Sequence, residues 1–492
     1  MAAAKTVSPK KETPAKTISP AAATAAVQKE HRHRMLGAAL GIGLAVGIRL
    51  LPTPHGLTKV GHSILAILVL TVVFWVFEVL GNAVTAILML GLMIMAGVKP
   101  QHALSVFSGP SFWILLVVLF YGYAMQSTGL AKRLSYLILN WFPPTYPGVL
   151  GSFFLIGLIL SLGVPSMTAR TAILTPIAWA LVQALGLPPK SRGCSLIMLS
   201  SVEMAVIPGC ATLYGSLWGP LMITLFSKRG MDLQWMPWAR AMFLPTVIWC
   251  LLLLLGNWLV LRPEKELTIG KAFARSELSK LGSMSKHEKV TAMIVLCSIA
   301  YWVTGNLHHF PAYMIGMFAM AAFTAFGILR DKDFGGAVSW SLLLYLGAIF
   351  ALPEVIEQNN VTEWVAEFII PVIQKVSGSI LALCLVLCIA MLVLRFGDPT
   401  GFLIMTLLFL PVTTFMKNSP VSPIVLIAAI LMGGHPFWAG YENFWVALMH
   451  GMTDNQSYTD SHRVRLAHVY AVMSLVEVTI AVGYWRLIGL WH

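Results

Sequence analysis

Two pairs of apolar arms, one pair in each half of the chain, are interrupted by short polar tips that carry proline, and this pattern leaves few folds open. The first pair spans residues 148–186 around Val164-Pro165-Ser166-Met167-Thr168-Ala169-Arg170, and the second spans 379–417 around Phe396-Gly397-Asp398-Pro399-Thr400-Gly401. Each arm offers about 15 apolar residues where a spanning helix needs about 20, so the arms read as half-helices that enter a membrane and turn back. Irregular backbone at that depth survives only when it is buried in protein or lines a cavity, because lipid cannot satisfy its polar groups. Matched interruptions in the two halves of a chain point to a transport site at the interface of an inverted repeat.

The rest of the sequence fits that reading. Hydrophobic residues make up 58% of the chain and charged residues only 11%, whereas about a quarter of a soluble protein is charged. The chain reads as an all-α polytopic membrane protein. Unbroken apolar runs such as 250–255 exclude a β-barrel, whose strands alternate polar and apolar positions. The six cysteines all lie in apolar segments and imply neither disulfides nor a metal site, and Cys384 and Cys388 read as packing. No cofactor is expected. The formal charge of +13 informs topology and does not call for a nucleic-acid partner.

Seven basic residues fall between Lys5 and Arg34 and seven more between Arg262 and Lys289, which places both segments on the cytoplasmic side. Residues 1–34 read as a disordered cytoplasmic tail, 35–261 as the first repeat, 262–289 as a cytoplasmic linker and 290–492 as the second repeat. The pattern predicts about 11 crossings, a cytoplasmic N-terminus and an outside C-terminus at His492, in what we expect to be a bacterial inner membrane. Lys228, Arg229 and Arg240 fall on the outer side and run against the charge rule.

Two further crossings are broken. Residues 193–226 contain Ile207-Pro208-Gly209-Cys210-Ala211-Thr212-Leu213-Tyr214-Gly215, and 421–449 contain Met432-Gly433-Gly434-His435-Pro436-Phe437-Trp438-Ala439-Gly440. Proline removes a helix donor and glycine permits unwound dihedrals, so each break frees amides and carbonyls toward a tip. Helix N-termini would favour an anion and freed carbonyls a cation. The residues expected to bind substrate are therefore Ser166, Met167, Thr168, Arg170, Cys210, Ala211, Thr212, Asp398, Pro399, Thr400, Gly434 and His435. Gly209, Gly433 and Asp398 are the candidates for a coupling ion.

Among the basic residues only Arg170 and Arg395 sit deep in apolar sequence. Intramembrane arginine is costly unless paired or hydrated, and guanidinium suits a carboxylate ligand. The competing reading pairs Arg170 with Glu203 and Arg395 with Asp398. Asp398 could carry a proton or act as a fixed counter-charge, and His435 is a second protonatable group. Glu78, Glu354, Glu357, Glu442 and Glu477 read as helix-end or scaffold residues. His450, Asp454, Asp460 and His462 share a loop whose spacing matches no metal pattern, and no catalytic motif of an enzyme is present.

The tip Ser166-Met167-Thr168, with Leu174-Thr175-Pro176 behind it, resembles the Ser-Asn-Thr tip of the divalent anion/sodium symporter family within the ion transporter superfamily. The segment from Gly209 to Gly215 is similar to that family's Gly-Thr-Ala-Thr-Leu-Ile-Gly broken helix, and Glu78 to Ala86 and Ser339 to Gly347 look like its scaffold segments. The resemblance implies a homodimer in which hairpins and broken helices move as an elevator against a fixed scaffold. It also implies di- or tricarboxylate or sulfate as substrate, and tips that hold carboxylates and sodium. Met167 stands where the family has its first Asn, and Asp398-Pro399-Thr400 replaces the second tip. Methionine is a poor ligand for a hard cation and proline has no amide donor, so coupling to protons or exchange against a second anion is expected instead of sodium coupling. The alternatives are a cation/proton antiporter or arsenite-type efflux permease of the same superfamily, or an anion channel. The two arginines argue against a cationic substrate.

Overall fold

The computed structural model describes residues 20–164, 166–264, 270–398, 400–417 and 419–491. Pro165, Pro399, His492 and the tail before Pro20 lie outside the described residues, and so do the expectations that fall on them. Helices are the regular structure of the described chain, with no strand among these residues. In the first half run α1 (Pro20–Leu50), α2 (Lys59–Val76), α3 (Asn82–Met95), α4 (Pro110–Ser127), α5 (Leu130–Trp141), α6 (Tyr146–Gly163), α7 (Met167–Ala184), α8 (Arg192–Val206), α9 (Trp218–Ser227) and α10 (Trp235–Val260). The linker holds α11 (Gly270–Leu281). The second half runs α12 (Lys286–Val303), α13 (Ala312–Ala325), α14 (Trp340–Gln358), α15 (Val361–Val376), α16 (Ile380–Leu394), α17 (Phe402–Phe415), α18 (Pro423–Met432), α19 (Phe444–Met452) and α20 (Asp460–Leu487).

Among the described residues nine helices are long and apolar enough to cross a membrane, and the chain is an integral membrane protein. Helix α17 and the half-helices α9 and α18 are shorter, at 14, 10 and 10 residues. At 1.5 Å per residue, α17 reaches about 21 Å, well short of a hydrocarbon core of about 30 Å.

Two expectations need correction. Residues 20–34 belong to α1 and are not coil, because the alanine-rich stretch that opens α1 has the highest intrinsic helix propensity. The arms of the first hairpin are 18 residues each, longer than the sequence suggested. Helix α6 starts upstream at Tyr146 because the Thr145 hydroxyl accepts the Gly148 amide at 3.2 Å and Pro147 sits in the first turn, where its missing N–H costs nothing. By length alone, residues 146–163 and 380–397 could cross.

Of the three cations expected on the outer side, Lys228 and Arg229 find carboxylates in the other half of the chain, whereas Arg240 donates to the Ile488 main-chain carbonyl at 3.2 Å. Lys228 pairs with Glu354, and Arg229 pairs with Glu357 at 2.8 Å and donates to the Leu410 carbonyl at 2.7 Å. On the linker side Arg133 holds Glu288 at 2.7 Å and donates to the carbonyls of Leu281, Gly282 and Ser283, tying α5 to the start of α12.

The packing of the two halves is crossed. Helices α6 and α7 pack on α8, and α16 and α17 pack on α18. Beyond each break the partner changes: α9 packs on α17 of the second hairpin, and α19 packs on α7 of the first.

Candidate functional site

Each tip is built by a cap residue at the start of its second arm. Ser166 precedes α7 and its hydroxyl accepts the Ala169 amide at 3.2 Å. Asp398 does the same for α17 with a carboxylate: one oxygen accepts the Thr400 amide at 3.0 Å and its hydroxyl at 2.9 Å, and the other accepts the Ile404 amide at 3.1 Å. Gly401, at φ +80°, makes the left-handed turn that lets the chain enter α17. Both caps are buried, as are Val164 and Met167.

The breaks lie where proline and glycine placed them. After α8 the chain tightens into a 3-10 turn over Ile207–Ala211, extends at Thr212 and resumes as α9. This brings Gly209 against Gly215 so closely that a Cβ on Gly209 would sit 2.3 Å from the Gly215 carbonyl oxygen and 2.4 Å from the Arg170 guanidinium. The second break runs from Gly433 to Asn443, whose side chain caps α19 through the Val446 amide at 3.2 Å and donates to the His435 carbonyl at 3.3 Å.

The two deep arginines fasten tip to break, and neither makes the side-chain ion pair weighed from sequence. Arg170, fully buried, donates through Nε to the Ala205 carbonyl at 2.5 Å and through Nη1 to Val164 at 2.6 Å and Gly215 at 2.7 Å; Nη2 reaches Val206 at 3.4 Å. Glu203 instead takes its hydrogen bond from Asn257. Arg395, also fully buried, donates to the main-chain carbonyls of Gly434 at 3.0 Å, Glu442 at 2.5 Å and Asp398. Each guanidinium thus satisfies carbonyls that an unwound helix leaves without partners, which inside an apolar core would cost about 1–3 kcal/mol apiece. Other side chains take further carbonyls of the breaks: Trp238 donates to Cys210 at 3.0 Å and Tyr470 to Met432 at 2.8 Å. Four of the five donor hydrogens of Arg170 point at backbone carbonyls.

Sequence reading missed two tryptophans that join the halves. Trp218 opens α9; its indole N–H donates to His435 Nε2 at 3.0 Å and its ring lies 4.4 Å, centroid to centroid, from Phe402 at the second tip. Trp445, at the start of α19, donates to the Thr168 hydroxyl of the first tip at 3.2 Å and lies 6.2 Å from the His435 ring. The chain of contacts therefore runs from first tip to Trp445, His435, Trp218 and second tip, with Tyr345 of α14 donating to or accepting from Thr400 at 2.6 Å. The available signal was positional, since each tryptophan sits at the start of the helix that follows a break. A cavity of about 450 Å³ opens beside Tyr214 and Trp302, toward His308 and Phe310, and the tip residues do not line it. The His450–His462 loop is engaged in structural contacts: His450 bonds Ser457 at 2.7 Å, His462 bonds Ser195 at 2.8 Å and Asp460 pairs with Arg463 at 2.9 Å.

Residues 32–491 match the family described as the sodium:sulfate symporter transmembrane region. Dicarboxylate transporter 1 of spinach chloroplasts is 25% identical over 332 residues, which is 66% of this chain and 58% of that protein, so the match spans less than two thirds of the spinach chain. An L-tartrate/succinate antiporter of Escherichia coli is 23% identical over 417 residues, covering 78% of this chain and 81% of the antiporter. The crystal structure of the YdaH transporter of Alcanivorax borkumensis, reported for its unusual topology, superposes with a TM-score of 0.50 at 13% identity, covering 88% of this chain and all of that one. At that identity the likeness speaks to fold alone.

Proposed function

From the premise that the chain belongs to the sodium:sulfate symporter transmembrane-region family, whose members and relatives are transporters and not enzymes, we propose that it is a secondary active transporter of small organic dianions. Di- or tricarboxylates are the favoured substrates, in keeping with relatives named for dicarboxylate, tartrate and succinate, and sulfate is a further candidate. One observation carries the proposal. The first tip and break enclose a buried cation, Arg170, whose hydrogen-bond partners are all neutral carbonyls, beside the hydroxyl-bearing tip residues Ser166 and Thr168. A dry positive charge without a carboxylate partner is stabilised by an incoming anion.

In this reading the two hairpins are re-entrant, and they move with the broken helices as one body against α2, α3, α14 and the other scaffold helices in an elevator-type homodimer. The burial of Val164, Ser166 and Asp398 supports re-entrance, since irregular backbone in a membrane must be covered by protein. Arg170 and Arg395 would keep each tip and break in one rigid unit. Asp398 serves as a fixed counter-charge to Arg395, because its carboxylate already accepts three donors. The breaks offer little to sodium: the carbonyls of Ala205, Val206, Cys210, Gly215, Met432 and Gly434 already receive side-chain donors. Coupling to protons, or exchange of one anion for another, is therefore favoured over sodium coupling.

The test is uptake of succinate, malate, citrate and sulfate into proteoliposomes, with sodium and proton gradients imposed separately. Saturable uptake stimulated by an inward proton gradient or by internal dicarboxylate is expected. Stimulation by sodium alone would refute the coupling, and absence of saturable anion uptake would refute the function.

A further inference from the structure

The membrane interior holds a second polar cluster, away from the tips, that nothing above employs. Glu203 lies on α8, one turn before the Pro208 break, and the Ile207 amide bonds its main-chain carbonyl. Its side chain is 4% exposed. One carboxyl oxygen accepts from the amide nitrogen of Asn257 on α10, and that nitrogen also donates to the Ser200 hydroxyl at 3.1 Å. The other carboxyl oxygen is buried with no partner, and so is the side-chain oxygen of the fully buried Asn257. Glu477 of α20 is also fully buried and neither of its oxygens has a partner. Cys250 of α10 is fully buried as well.

Charges facing Glu203 from its neighbours are few. From α10 comes the Asn257 amide, by hydrogen bond. The guanidinium of Arg170 on α7 is spent on the Ala205 and Val206 carbonyls and on Val164 and Gly215, not on this carboxylate. An ionised carboxylate with one amide contact and no cation is far costlier in such surroundings than the neutral acid. The neutral acid also has an acceptor in place: with the Asn257 amide turned over, its oxygen accepts the carboxyl O–H.

We propose that Glu203 is the proton-binding site of the transporter. It carries one proton in the conformation seen here and exchanges it with water on either side when the break moves. The step forms one carboxyl O–H bond from hydronium on one side and breaks it to water on the other, with no change of redox state. Glu203 is favoured over Glu477 because it stands on the broken helix, next to the carbonyls that Arg170 holds, whereas Glu477 stands in the middle of an unbroken helix. The inference rests on the transport reading above.

Proteoliposomes containing wild type, Glu203→Gln and Glu477→Gln are compared for three activities: exchange of external against internal succinate, accumulation of succinate driven by an inward proton gradient, and succinate-evoked acidification of the lumen. Glu203→Gln, which mimics the protonated acid, is expected to keep exchange and lose gradient-driven accumulation together with succinate-evoked acidification of the lumen. Glu477→Gln is expected to keep all three. Accumulation retained in Glu203→Gln, lost only in Glu477→Gln, or undriven by protons in wild type would overturn the proposal. Absence of exchange in wild type would instead sink the transport reading.

A second measurement on the wild-type protein stands apart from transport and from the folding of any variant. Dicyclohexylcarbodiimide, which adds to protonated carboxyls in apolar surroundings, should label Glu203, with labelling that falls as pH rises. No labelling of Glu203 at any pH would count against it.

Discussion

The two tip–break units of this protein share a mechanical plan and differ in charge. In both, a fully buried arginine spends its donors on main-chain carbonyls of a tip and of an unwound helix. In the first unit the cap on the hairpin's second arm is a neutral hydroxyl, Ser166, and no carboxylate is among the partners of Arg170. In the second the cap is Asp398, whose own carbonyl takes a bond from Arg395, so cation and anion are neighbours. The difference teaches that fastening tip to break needs a guanidinium; on the proposed function, accepting an anion further needs that guanidinium left without a counter-charge. Only the first unit meets both conditions.

The largest effect should come from removing the first fastening. Arg170→Met strands the carbonyls of Val164, Ala205 and Gly215 at full burial. At about 1–3 kcal/mol for each orphaned group, with partial relaxation, the loss should be about 3–5 kcal/mol. Thermal unfolding of the detergent-solubilised protein measures it, and transport should vanish with it. A variant as stable as wild type would mean that the guanidinium is not what holds tip to break.

Asp398→Asn comes next. It preserves shape but leaves Arg395 without its neighbouring anion and sets an amide N–H or a weaker acceptor against the Ile404 amide. The expected loss is about 2 kcal/mol. Succinate exchange should slow, because the second unit now holds an uncompensated cation like the first and competes for the anion. Proton-driven stimulation, as a ratio to exchange, should stay at the wild-type value, since Asp398 is a fixed charge. Loss of that stimulation would return the proton to Asp398 and erase the distinction between the units.

How much of this could be read from sequence follows from how local each cause is. The breaks were legible because Pro208, Gly209, Gly215, Gly433 and Pro436 write an unwound helix directly into the chain. The depth of Arg170 and Arg395 was legible, but their partners were not. Backbone carbonyls carry no residue signature, and those of the breaks lie dozens of residues away from the arginines. Lys228 and Arg229, expected on the outer side, ran against the charge rule because their partners Glu354 and Glu357 come from the other half of the chain. Arm length was misjudged because the start of α6 depends on the Thr145 cap rather than on where the apolar run begins. Trp218 and Trp445 drew no reading because one tryptophan in an apolar helix carries no information until its mirrored partner is noticed.

Those tryptophans give a finer test of the same asymmetry. Trp218→Phe keeps a ring beside Phe402 but removes the N–H on His435, whose other ring nitrogen already lacks a partner, so a fully buried imidazole is left with both nitrogens unpaired. The expected loss is about 1–2 kcal/mol. Trp445→Phe removes only the bond to Thr168, whose hydroxyl is less enclosed, and should cost about 1 kcal/mol or less. Reversal of that order in thermal unfolding would place the tighter joint at the first tip.

The smallest change is the most specific for substrate. Ser166→Ala deletes the cap on α7, worth about 1 kcal/mol, and touches neither Arg170 nor the break. If the first unit is where an anion's charge is met, the Ser166 hydroxyl, which uses its oxygen as an acceptor for Ala169, still has an O–H to offer a carboxylate. Its removal should therefore raise KM for succinate by about tenfold, one charge-assisted hydrogen bond, with little change in maximal rate. A fall in rate at unchanged KM would say instead that the cap only shapes the tip. The neutral first unit would then have to meet its anion through α7 amides and the Arg170 charge, without help from the hydroxyl that distinguishes it from the acidic second tip.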